Sequence, residues 1–93
     1  MQENYSYPLD IEWSQTEMIQ VMVMWQTLED VYETGVLVDD FKKAYQAFKG
    51  VIKSIGEERQ LGRDFEEASG YSLYHAVQES QKLSSGMKLK MNA

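Results

Sequence analysis

Apolar positions recur at helical spacing along most of the chain, and serines and glycines punctuate them. Ser14 and Glu17 stand as a capping box, serine accepting from the N–H three residues on and glutamate reaching back. Trp13 and Met18 occupy the flanking positions of a hydrophobic staple. Gly35 supplies the left-handed stop, so a first helix is expected over 15–34, about 30 Å long. Its core stripe reads Met18, Val21, Met22, Trp25, Leu28 and Tyr32, with Met24 and Val31 flanking. Ile19 and Val23 fall off that stripe, on the side of Gln26 and Asp30. The arc is too wide for a helix covered on one face, so something must cover it. Either the N-terminal segment does, with Tyr5, Tyr7, Pro8, Leu9 and Ile11, or a partner protein does. Pro8 pushes Tyr7 toward extended geometry, and residues 4–13 are read as an extended strap.

A second helix is expected over 38–53. Asp39 and Asp40 suit its first turn, and Phe41, Ala44, Tyr45, Phe48 and Ile52 form one face. Lys42, Gln46, Lys49 and Lys53 form the other. A third helix, over 55–69, opens on a second box at Ser54 and Glu57 and closes at Gly70. Its apolar face is thin: Leu61, Phe65 and Ala68, helped by Ile55. A fourth, over 73–83, has Ser72 as N-cap and turns Leu73, Tyr74 and Val77 inward. The period fades after Gln81, and residues 84–93 read as a flexible tail. No strand-like alternation of useful length appears. The expected fold class is all-α: four helices in a compact array with an extended N-terminal strap, one domain over 1–83.

Composition narrows the class of function. The chain has 93 residues and no cysteine, which excludes disulfides, thiolate metal sites and cysteine nucleophiles. With no basic leader and no apolar run near the length of a membrane span, a soluble cytoplasmic protein without a membrane partner is expected. The net charge of −6 argues against nucleic acid, which is bound through clustered Lys and Arg. The charge is unevenly placed. Residues 1–41 hold nine acids and no Lys or Arg; residues 42–93 hold nine bases and six acids. Such halves attract within one molecule or between two, or are simply solvated faces of different sign.

Catalytic patterns are missing. The single histidine, His75, lies off the inward stripe, and only Ser72 is near it in sequence. A di-iron bundle needs two Glu-x-x-His motifs, and none is present. The carboxylates Glu57, Glu58, Asp64, Glu66 and Glu67 lack the order of a calcium loop. The glycines are scattered, not grouped as in a phosphate loop. No catalytic, metal-binding or cofactor-binding residue is therefore assigned. The candidate partner surface is Ile19 and Val23 with the lysine stripe of Lys42, Lys49 and Lys53. The expected role is a non-enzymatic interaction module with an unknown protein partner or self-association. The alternative is a small-ligand or anion binder using the aromatic interior or the lysine stripe, which a buried pocket between Tyr45, Phe65 and Tyr74 would favour. A hydrolase or metalloenzyme comes last.

The segments "YSYPLDIEWSQTEMI", "VYETGV", "AYQAFK", "EERQL" and "FEEASGYSLYHAV" occur in that order. Together they resemble the YktA-like proteins of low-GC Gram-positive bacteria, uncharacterised protein family 0223. The resemblance runs from about Tyr5 to Val77. It implies a small, all-helical cytoplasmic protein with no assigned activity, and supplies no catalytic residues. Leu37 departs from the pattern, because a polar cap is expected near that helix start.

Overall fold

A computed structural model describes residues 5–92; position 4 of the strap and position 93 of the tail lie outside them. The order is strap, α1 (Gln15–Glu33), β1 (Val36–Leu37), α2 (Val38–Val51), α3 (Ile55–Ser69), α4 (Leu73–Ser80) and β2 (Lys88–Leu89). This is the expected all-α array of four helices; three of the helices end one to three residues earlier than their periodicity indicated. Serine caps open three of them. Ser14 Oγ accepts from the Glu17 N–H at 3.1 Å, and Glu17 Oε1 accepts from the Ser14 N–H at 2.8 Å. Ser54 and Ser72 accept from Glu57 and His75 in the same way. Gly70 ends α3 at φ 84°, a left-handed geometry that suits glycine.

The core centres on Trp25. Its ring stacks on Phe65 at 4.7 Å and meets Phe48 edge-on at 5.5 Å, tying α1, α2 and α3 together. Tyr5 and Tyr7 pack against Phe65 at 5.9 and 6.1 Å, so the strap lies along the α1–α3 seam. Trp25 Nε1 donates to the Pro8 carbonyl at 3.2 Å. Both strap tyrosines donate to the Glu29 carboxylate, Tyr7 at 2.8 Å. Trp13 is half-buried against the same core.

The buried stripe of α1 is Val21, Met24, Trp25, Leu28, Val31 and Tyr32. It is turned by roughly 50° from the expected one, toward Met24 and Val31. Met18 and Met22 are left half-buried. The reason lies at the other end of the chain. Residues 84–92, read from sequence as a flexible tail, fold back onto the body. β2 pairs antiparallel with β1, Val36 opposite Leu89 and Leu37 opposite Lys88. Leu89 is 1% exposed, and the Met91 N–H donates to the Val31 carbonyl at 3.0 Å. The extra wall falls on the Val31 side of α1. Strands of two residues have no periodicity to read.

The same segment explains Leu37. That residue is the N-cap of α2 and offers no side-chain bond. The Val38 N–H instead donates to the Met87 carbonyl at 2.8 Å. The Asp39 carboxylate accepts from the Gly86 N–H at 2.8 Å and Ser85 Oγ at 2.7 Å. These bonds hold the Asp39 carboxyl below its usual range, the Gly86 amide contributing most. Lys90 Nζ sits 3.4 Å from the Tyr32 carbonyl, placing a cation at the C-terminus of α1, where the helix dipole favours one.

Candidate docking groove

α4 sets the geometry of a groove on the surface. Its buried side chains are Leu73, Ala76 and Ser80, three and four residues apart. Tyr74, expected inward, therefore points away and is 65% exposed. A groove of about 440 Å³ runs between α3 and α4, with Tyr45 of α2 reaching in from one side. Leu73 and Val77 line it from α4, and Ile55, itself 58% exposed, lines it from α3. Arg59 and Arg63 stand one turn apart along the α3 wall. Among the described residues neither arginine forms an ion pair.

One side of the groove is held rigid by a small polar network. Glu58, 9% exposed, accepts from Tyr45 Oη and from Lys49 Nζ, each at 2.6 Å. Lys49 Nζ also lies 5.8 Å from the centre of the Tyr45 ring. A buried carboxylate is tolerated when it is paired and hydrogen-bonded. Burial, then the bond to Glu58, pushes the Tyr45 phenol above its ordinary range. Among the described residues no buried side-chain nitrogen or oxygen lacks a partner. The groove thus presents apolar side chains, the cations Arg59 and Arg63, the carboxylate Glu66 and the amides of Gln78 and Gln81, with its buried polar groups already satisfied.

A model of an uncharacterised protein family, UPF0223, matches residues 4–88. The chain belongs to that family. A UPF0223 protein of Enterococcus faecalis is 54% identical over 89 residues, 96% of each chain. One of Streptococcus sanguinis is 48% identical over 86 residues, covering 92% of this chain and 94% of that one. YfdD of Lactococcus lactis, also a UPF0223 protein, is 53% identical over 79 residues, 85% of each. The UPF0223 match passes Val77, where the likeness read from sequence stopped, and takes in β1 and the first residue of β2.

In this UPF0223 member the residues picked out from sequence fall on separate surfaces. Ile19 and Val23 are 52% and 41% exposed, on the side of α1 turned away from the core. Lys42 is exposed on α2 and Lys53 in the link after it, beyond the helix on which the stripe was expected, while Lys49 is drawn into the Glu58 network. No residue lining the groove comes from α1. The pocket between Tyr45, Phe65 and Tyr74 does not form, because Phe65 faces Trp25 and the strap while Tyr74 faces outward. His75 is exposed, and its bond with Ser72 is a backbone cap. Among the described residues no group of three or more His, Cys, Asp or Glu is placed to hold a metal ion. None of the helices is long and apolar enough to cross a membrane.

Sequence reasoning passed over Arg59 and Arg63. The signal was present, as a basic pair at helical spacing following Ile55. It also passed over how the acids of α1 are satisfied. Glu29 receives Tyr5 and Tyr7, and Glu33 receives Tyr71 at 2.9 Å, so neutral phenols stand where bases were looked for.

Proposed function

We propose that this protein is a non-enzymatic, cytoplasmic docking module whose α3–α4 groove receives an amphipathic helix carrying acidic residues. One observation carries the reading: Ile55 and Tyr74 stand in water on facing walls of a groove flanked by unpaired Arg59 and Arg63. A helix seated there covers the apolar side chains and brings carboxylates to the arginines, the mode in which apolar faces enter hydrophobic grooves. The exposed pair Ile19 and Val23 is a second docking surface, on a different face. Lys42 on α2 and Lys53 just after it offer further positive charge outside the groove.

The test is site-specific photocrosslinking in living cells. A photoreactive residue at Tyr74 should give a discrete adduct, lost when Arg59→Glu and Arg63→Glu are added. The same probe at the neighbouring exposed His75 serves as control. Equal, diffuse labelling at both positions counts against the groove. A small anionic amphiphile fits the same chemistry, and the groove volume falls in the range of small-molecule sites. A carboxylate panel that raised the melting temperature only while the arginines were present would favour that reading.

A further inference from the structure

We infer that the occupant of the groove is a second copy of this chain, presenting the outward face of α1; this rests on the docking reading above. Ile19, Val23, Gln26 and Asp30 form one exposed stripe along α1, at spacings of four, three and four residues. Its first half is apolar, and its far end is acidic. Along the α3 wall the order is Ile55, Glu58 already paired with Lys49, Arg59, Arg63 and then Glu66: apolar first, then basic, with one carboxylate at the far end. From Val23 to Asp30 is about 10 Å of helix, and from Ile55 to Arg63 about 12 Å. With Val23 against Ile55, Asp30 comes level with Arg63. Among the described residues the Asp30 carboxylate accepts no hydrogen bond and no ion pair, its backbone carbonyl alone serving the end of α1.

Charge over the whole chain points the same way. The acids before Lys42 and the bases after it are opposite in sign, yet both ion pairs among the described residues, Lys49–Glu58 and Lys82–Glu79, lie within the second part. Glu29, Glu33 and Asp39 are taken up by hydrogen bonds within the chain, while Asp30 is left open for another molecule. Stripe and groove share no residue, so one molecule offers both at once. The contact is head-to-tail, and it extends into chains of molecules unless the rotation closes a ring.

Sedimentation velocity over a wide concentration range tests this. The wild-type average mass should at least double as concentration rises, and the rise should shrink in high salt, which screens the arginine–carboxylate pairing. Ile19→Glu with Val23→Glu, and separately Arg59→Glu with Arg63→Glu, should each stay monomeric. All four positions are exposed, and circular dichroism melts serve to check that the variants fold. The decisive step is mixing. One variant keeps a sound groove and the other a sound stripe, so the equimolar mixture should form a dimer and stop there. A monomeric wild type, variants that still assemble, or a mixture that stays monomeric overturns the inference. If the Tyr74 probe then captures a different protein, the groove reading survives without self-association. If it captures nothing, both fail.

Discussion

Replacing Leu89 by Ala separates the folded-back C-terminal segment from a frayed one. Leu89 is 1% exposed, lies in the core cluster and is fixed opposite Val36 by strand pairing. Truncating a buried leucine removes its transfer free energy and leaves a cavity, a loss of about 2–5 kcal/mol. Here β2 is at the edge of the body and closes in part over the gap, which places the loss near the lower end, about 2–3 kcal/mol. For a domain of this size, that lowers the melting temperature by on the order of 10–20 °C. Thermal and urea unfolding followed by circular dichroism measure it directly. Met87→Ala, at an exposed side chain two residues away, is the matched control and should change the midpoint little. Equal, small effects for both variants would refute the packing of β2 and return residues 84–92 to a loose tail.

Other outcomes follow from particular contacts. Glu58→Ala strips Tyr45 and Lys49 of their shared acceptor; because Lys49 is partly exposed and can turn to water, the loss is about 1–2 kcal/mol in urea melts. Gly35→Ala meets both a φ of 91° and the Lys88 side chain, and should lower stability by more than about 1 kcal/mol, read from the same melts. Burial and the bond to Glu29 push the Tyr7 phenol up to about 12, and Tyr5 and Tyr45 also move up. An unfolded tyrosine ionises at about pH 10, so between there and about pH 12 the unfolded chain binds fewer protons than the native one. This contribution to stability is complete below about pH 10 and is lost as pH rises through that window, and a urea midpoint flat across it would contradict the tyrosine–glutamate pairing. Tyr7→Phe should make the alkaline fall shallower.

Ser14, Ser54 and Ser72 announced their helices because an N-cap bond spans three residues and needs nothing distant. Gly70 was equally local. Tyr74 shows where periodicity stops helping. On a two-turn helix, Leu73, Tyr74 and Val77 make as good a stripe as Leu73, Ala76 and Ser80, and the neighbours decide between them. Leu37 shows a different limit. Its helix start is satisfied by Met87, fifty positions later, and no local pattern carries that information. The groove followed from the first of these, since Tyr74 could stand on its wall only once Ala76 had taken the inward place. Arg59 and Arg63 were visible as a pair, but which way their helix faced was not.

The turn at residues 84–87, together with Met91, joins two helix ends that have no other reason to act together. The Val38 amide, the Asp39 carboxylate and the Val31 carbonyl all find partners in one short stretch. When that stretch lifts, the start of α2 and the finish of α1 lose their partners in the same event. Their amides should therefore exchange with solvent as one cooperative unit, at a common opening free energy. During synthesis the α1–α2 hairpin emerges well before residues 84–92, and until they arrive its bend stays unlatched. Closing that latch means bringing together segments separated by more than half the chain, which makes it a late step of folding.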